Sequence, residues 1–360
     1  MEEFATAELL DDELIIRNQK EASTVYNKGF FGEPQSGGSL KISLIEAVFL
    51  VTIGRLKVNE GREELEIKDL MRYAAERHSD FEIKYIVYSD LRTRGYVVKA
   101  FSEQGVSGID FAVYPRGGNP KMPAHYWTIA ISERARFSID ELRQQALTAS
   151  GVRKELMLAI ADEEGDITYY DVIPSNPKGK VEKAKLPKAG GMLLKDRVFL
   201  WEEGAAASYL RPEFYGKPLG KGLQISLVET AHLMKYGALY VIDGRRGKHI
   251  EYDDFVKKAR RIQHDFDLRL RVYEDLKSRG LIVKTGFKFG SHFRVYRGDP
   301  DKCHAEYLVH ALPSGYKATW PEISRAIRLA HSVKKEMILA RVSGEGGEGI
   351  DYLTIGRARP

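Results

Sequence analysis

Short apolar stretches separated by polar, helix-forming segments recur along the chain. "FRVY" (293–296), "EYLVHAL" (306–312) and "EMILARV" (336–342) are compact and rich in branched or aromatic residues, which predicts buried strands. Between the last two, "EISRAIRLAHSV" repeats at helical spacing and turns Ile323, Ile327 and Ala330 inward. Thr319-x-x-Glu322 predicts a capping box at its start, with Pro321 in the first turn where a missing N–H is harmless. Ser138-x-x-Glu141 predicts the same device earlier in the chain. "DFEIKYIVYSDLRTRGYVVKAF" (80–101) reads as a helix stopped by Arg-Gly and followed by a strand. Strand, strand, helix, strand predicts a small mixed-sheet module.

The pattern occurs twice. "SLIEAVFLVTIGRLKV" (43–58) answers "SLVETAHLMKYGALYV" (226–241). "YSDLRTRGYVVK" (88–99) answers "YEDLKSRGLIVK" (273–284) with seven of twelve positions identical. "VRKELMLA" (152–159) answers "VKKEMILA" (333–340), so the order is kept at an offset of 181 to 185 residues. The fold class expected is α/β (mixed α+β), with two tandem similar units. Each unit comprises a small N-terminal α/β domain (1–84 and 192–268) and a C-terminal mixed-sheet domain (85–172 and 269–360). "IPSNPKGKVEKAKLPKAGG" (173–191) lies between them; rich in Pro, Gly and Lys, it reads as a flexible basic linker.

Composition narrows the picture modestly. With 360 residues, 43% hydrophobic and 30% charged, the chain can build more than one core. No apolar run is long enough for a membrane span, and the acidic start "MEEFATAELLDDELIIR" lacks an export pattern, so a cytoplasmic protein is expected. The single cysteine, Cys303, excludes an internal disulfide framework and a cysteine-cluster zinc site. A net charge of +5 suits a polyanionic partner but chiefly describes a mixed, solvated surface.

Differences between the copies carry the functional signal. At an offset of 181, Tyr126 matches Tyr307 and Lys154 matches Lys335, which sets Pro123 opposite His304. His125 then falls opposite Glu306, although a loop shift would bring it nearer the position of His304. Arg328 precedes Lys335 by seven residues; on a continuous helix that is two turns, roughly 10.5 Å, and nearly one face. The first copy has Leu147 at that place. A strand-end Tyr, a loop His and a helix-end Lys are each ordinary structural residues when met singly. Their joint presence in one copy, with selective loss in the other, points to one catalytic and one retired unit. Tyr, His and Lys without clustered carboxylates suit metal-free RNA cleavage by the 2′-hydroxyl. The His protonates the leaving 5′-oxygen, the Lys faces the charge of the phosphorane, and a neighbouring cation makes the phenol a competent base.

"FGSHFRVY…HAEYLVHAL…WPEISRAIRLAHSVKKEMILARV" resembles the catalytic unit of the archaeal tRNA-splicing endonucleases, and "GKPLGKGLQISLVET" resembles the N-terminal part of that unit. The resemblance covers nearly the whole chain and implies catalytic roles for Tyr296, His304 and Lys335. Tyr296 precedes His304 by eight residues, a slightly shorter loop than in some relatives. It also implies that Arg328, with Arg357 preferred over Arg359, sandwiches a flipped bulge base. The two-repeat chain resembles the homodimeric type, in which an acidic loop of the inactive unit docks on the active unit of the other chain. Here that loop would be "ADEEGD" (161–166), carrying Asp162, Glu163, Glu164 and Asp166; taken alone, it is a plain hairpin turn. The substrate implied is precursor tRNA, cut in a bulge-helix-bulge, two three-nucleotide bulges flanking a short helix. No metal and no cofactor are called for.

Two other readings stay open. A non-catalytic RNA-binding scaffold subunit would have no use for His304 and Arg328. A metal-dependent nuclease is suggested by the similarity of the C-terminal modules to restriction-nuclease-like cores; it would need clustered carboxylates, which "FRVY" and "EYLVHAL" do not supply.

Overall fold

Ser43 and Ser226 each open a helix, Leu44–Thr52 and Leu227–Lys235, with a complete capping box. The box carboxylates, Glu46 and Glu229, are buried and also accept a backbone N–H, from Gly32 and Gly216 respectively, at 3.0 Å in both cases. Each is paired with a lysine from the following module: Lys99 Nζ lies 3.1 Å from Glu46 and Lys284 Nζ lies 3.2 Å from Glu229. Buried carboxylates survive only when satisfied in this way. Burial opposes ionisation of Glu229, but the Lys284 ammonium and the Ser226 bonds win and hold it below the usual carboxylate range.

The computed structural model describes residues 4–10, 13–101, 108–201, 203–210, 213–344 and 349–360. They form two compact units. The first holds residues 1–136, 144–173 and 357–360; the second holds 137–143 and 174–356. The start of the Ile139–Gly151 helix groups with the second unit and the last four residues with the first.

Within the first unit, six strands run in the order Glu33–Pro34, Leu40–Ile42, Glu13–Ile16, Ala5–Leu10, Leu56–Glu60, Glu63–Glu64. The second unit repeats that order with Lys217–Leu219, Gly222–Ile225, Arg197–Leu200, Ala189–Leu194, Leu239–Asp243 and His249–Ile250. The C-terminal module of the second unit orders its strands Ile282–Thr285, Phe293–Tyr296, Tyr307–Pro313, Glu336–Val342, Ile350–Arg357. Tyr307–Pro313 and Glu336–Val342 are parallel, and the Trp320–Ser332 helix crosses between them. Trp320, Ile323, Ile327 and Ala330 form its buried stripe, as the spacing predicted. The Thr319 capping box is not formed. Thr319 is still the last residue of the strand Lys317–Thr319, and Glu322 instead lies 3.5 Å from the Tyr316 hydroxyl. At Ser138 the hydroxyl does accept from the Glu141 N–H at 3.4 Å.

The linker is not a free tether. Gly179, Lys180 and Val181 donate their backbone N–H groups to the carbonyls of Arg279, Arg297 and Gly280. Ala184 donates to Glu213, a buried carboxylate 3.0 Å from Lys277. A Cβ on Gly179 would meet the Gly280 oxygen at 2.0 Å, so only glycine allows this approach. Low apolar content limits side-chain burial in this segment but leaves its backbone free to pair.

Candidate active site

Strand register builds the candidate site. Val295 pairs with Tyr307, and Tyr307 with Glu336, across three adjacent strands. One step towards the loops lie Tyr296, Glu306 and Lys335, linked by Glu306 N–H to Val295 O and Glu336 N–H to Glu306 O, both 3.0 Å. Tyr296 and Lys335 therefore lie two strand spacings apart, roughly 10 Å along the row.

Tyr296 is 7% exposed and packs with Phe214, Ile282 and Ala305, covered by Val181 of the linker. Lys335 Nζ donates to the Ala305 carbonyl at 2.9 Å. Ala305 thus touches both side chains, and His304 precedes it. His304 closes a turn in which Lys302 N–H, Cys303 N–H and Cys303 Sγ all point to the Asp299 carbonyl. Its imidazole is exposed and has no hydrogen-bond or ion-pair partner among the described residues.

Lys335 does not continue the helix that carries Arg328. That helix ends at Ser332, and Lys334 turns the chain at φ 55°. Lys335 N–H returns to Ala330 O and Lys334 N–H to His331 O, each at 3.0 Å, a Schellman closure with lysine where glycine is usual. The two-turn helical spacing from Arg328 to Lys335 therefore does not exist. Arg328 is exposed on the outer face, without a partner among the described residues.

Arg357 is exposed and groups with the first unit, where Ala358 N–H meets Tyr169 O at 2.9 Å; Arg328, His304 and Lys335 belong to the second. The acidic loop is a tight hairpin turn. Asp162 Oδ1 accepts from the N–H groups of Glu164 and Asp166, and Glu163 pairs with Arg134 at 2.7 Å. Glu164 and Asp166 are exposed, their carboxylates unpaired among the described residues. Residues 345–348 of the corresponding "SGEGGEGID" loop lie outside the described residues.

The first unit reproduces the frame. His125 N–H bonds Val113 O and Glu155 N–H bonds His125 O, the pattern that Glu306 makes in the second unit. His125 is therefore the counterpart of Glu306, and no loop shift brings it to the place of His304. Tyr114, whose N–H meets Val97 O at 2.9 Å, stands where Tyr296 pairs with Ile282. Tyr and Lys are kept as Tyr114 and Lys154, while Pro123 and Leu147 replace His304 and Arg328. The neighbours of the strand-end tyrosine differ too. Arg297 bonds the Tyr307 hydroxyl, whereas Tyr126 is pushed up to about 12 by burial, Asp171 and Glu155. Burial and Glu155 raise Asp171 itself to about 6.

A cleft of about 690 Å³ opens beside Tyr296 and is also lined by Arg294, which sequence reasoning passed over. Its signal was the variable position of Phe-x-Val-Tyr, where the first unit has Ala112. Among the described residues no cluster of three His, Cys, Asp or Glu side chains is placed to hold a metal ion, and no helix is long and apolar enough to cross a membrane.

Comparison with known proteins agrees with this duplication. The family described as tRNA intron endonuclease, catalytic C-terminal domain, matches residues 81–169 and 266–352. The companion N-terminal domain matches 5–71 and 189–256. Proteins named tRNA-splicing endonuclease are similar over almost their whole length. The one from Methanococcoides burtonii is 42% identical, covering 98% of this chain and 99% of its own. That from Methanosarcina mazei is 39% identical, covering 97% and 98%. That from Halobacterium salinarum is 32% identical, covering 92% and 93%.

Proposed function

The chain belongs to the tRNA intron endonuclease family and is an endoribonuclease of tRNA splicing, and from that premise we propose that its second unit cuts precursor tRNA at bulge-helix-bulge junctions without a metal. Tyr296 accepts the proton of the 2′-hydroxyl, whose oxygen attacks the adjacent phosphorus. His304 donates a proton to the departing 5′-oxygen, and Lys335 faces the negative charge of the phosphorane. The products are a 2′,3′-cyclic phosphate and a 5′-hydroxyl. Atoms balance without water or an external oxidant.

The observation that carries this reading is the selective loss between superimposable frames. The first unit keeps Tyr114 and Lys154 at matching strand positions yet has Pro123 and Leu147 where the second has His304 and Arg328. An exposed, unpaired imidazole at the loop end suits an acid that must reach a substrate oxygen. Arg328 and Arg357 are the guanidiniums proposed to sandwich an extruded bulge base. Two chains related by a two-fold axis would present two such sites to a nearly two-fold RNA, with Glu164 and Asp166 as the outward acids that dock on the partner.

The test is cleavage of a bulge-helix-bulge RNA in excess chelator, with His304→Ala compared and the new ends identified. Cuts in both bulges leaving cyclic phosphate and 5′-hydroxyl, slowed by about 10²- to 10⁴-fold in a folded variant, are expected. Unchanged cleavage by the variant would remove His304 as the acid. Tight binding without wild-type cleavage would make the chain a scaffold subunit.

A further inference from the structure

Arg294 and Lys217 are cations that the proposed chemistry leaves unused. Side chains two apart on a strand share a face, so Arg294 and Tyr296 point the same way from Phe293–Tyr296. The Arg294 guanidinium carbon lies 5.9 Å from the Tyr296 ring centroid, and its Nε is closed off from solvent without a hydrogen-bond partner. Both residues line the 690 Å³ cleft, and the strand Lys217–Leu219 contributes the exposed Lys217 to it. The other two Lys or Arg side chains of the cleft are neutralised: Arg269 by Asp265 at 2.7 Å and Lys284 by Glu229 at 3.2 Å. Among the described residues Arg294 and Lys217 have no carboxylate partner.

The duplication supplies an internal control. Lys99 and Lys284, which tie the buried capping-box carboxylates, occur in both units. Arg294 and Lys217 do not. Arg294 faces Ala112 in the alignment of the two Phe-x-Val-Tyr strands. Gly32 and Gly216, each bonded to a capping-box glutamate, fix the register of the smaller domains, so the next residues, Glu33 and Lys217, correspond. One unit thus replaces a cation by a methyl group and another by a carboxylate while keeping the lysine that ties its capping-box glutamate. A guanidinium held partly out of water without a counter-ion is poised for an anion that arrives from outside.

We propose that Arg294 and Lys217 form a phosphate-binding track that carries the backbone of the substrate RNA strand through the cleft past Tyr296. The ligand groups are phosphodiesters, recognised by charge and not by base. This rests on the ribonuclease reading above and adds to it a binding surface outside Tyr296, His304 and Lys335.

The experiment measures binding by fluorescence anisotropy. Its probe is a bulge-helix-bulge RNA made uncleavable by 2′-deoxy nucleotides at both cut positions, and binding is followed across a salt series. Arg294→Ala and Lys217→Ala are each expected to raise Kd about tenfold at low salt and to reduce the salt slope by about one. Arg294→Lys retains the slope because the charge remains, and thermal unfolding of Lys217→Ala is unchanged. If wild type binds and cleaves but the salt slopes of both alanine variants equal its own, the proposal is overturned. Arg294 is then a packing partner of the Tyr296 ring, visible as a lower Tm in Arg294→Ala. If wild-type protein neither binds this probe nor cleaves its all-ribose counterpart, the ribonuclease reading itself fails, and the track falls with it.

Discussion

Lys335 gives its ammonium to the carbonyl oxygen of Ala305 at 2.9 Å while its own backbone N–H closes the preceding helix on Ala330. The residue is held from both ends, and only one end depends on its side chain. Lys335→Met keeps the backbone closure and most of the stem. It is expected to fold with nearly wild-type stability and to cleave about 10²- to 10³-fold more slowly, the loss seen when a preorganised donor is removed from an oxyanion. Lys154 Nζ has no partner among the described residues, and Lys154→Met should leave cleavage unchanged. Single-turnover rates beside thermal unfolding check this. A rate that falls only as far as stability does would make Lys335 a structural residue.

Tyr296 and Tyr114 offer a paired comparison. They occupy matching strand positions in the two units, so removing one hydroxyl from each separates the chemistry of the position from its place in the frame. Tyr296→Phe should lose cleavage by at least about 10²-fold with its fold intact, and Tyr114→Phe should leave both cleavage and fold unchanged. Equal effects at both positions would show that the hydroxyl serves packing.

Acid sensitivity follows from Glu229. Its folded-state pKa is held below its ordinary value by Lys284 and Ser226 in spite of burial. A depressed carboxylate contributes stability that is fully present above the unfolded pKa, near 4.5, and is lost as pH falls through the lower folded value. Denaturant unfolding should therefore show wild type weakening below about pH 4.5, whereas Glu229→Gln starts about 3 kcal/mol less stable at neutral pH and shows a flatter profile. Parallel pH profiles for the two proteins would contradict the assignment.

Lys334 holds φ 55° without being glycine, and Arg153 does the same at φ 59° in the first unit. A left-handed side chain costs about 1 kcal/mol, part of which glycine recovers at the expense of unfolded-chain entropy. Lys334→Gly is expected to raise stability by about 0.5 kcal/mol without altering cleavage. A destabilised variant would show that the Lys334 side chain makes a contribution beyond the turn.

What could be read without coordinates were the features written in side-chain periodicity. The strands Phe293–Tyr296, Tyr307–Pro313 and Glu336–Val342, the inward stripe of Ile323, Ile327 and Ala330, and the pairing of Pro123 with His304 all follow from apolar spacing and a constant offset. What could not be read lies in the backbone. The helix after Arg328 stops at a lysine where a glycine would have announced the end. The segment after residue 173 looked untethered because its anchors are N–H groups, which every residue but proline possesses. The burial of Glu229 has no mark in the pattern, because it comes from Gly216 and Lys284 closing over the helix start. Arg294 sat in a variable slot of a shared motif, and only its unpaired place beside Tyr296 makes it conspicuous.

The anchored linker also sets where the polypeptide can be divided. Gly179, Lys180 and Val181 are chain-connecting residues by position, but their backbone bonds hold Val181 as part of the wall around Tyr296. A gene cut after residue 181 would send that wall away with the wrong product and leave the tyrosine uncovered. A cut between Ser175 and Gly179 would keep it with its own half, so a two-gene version of this protein should begin its second gene there.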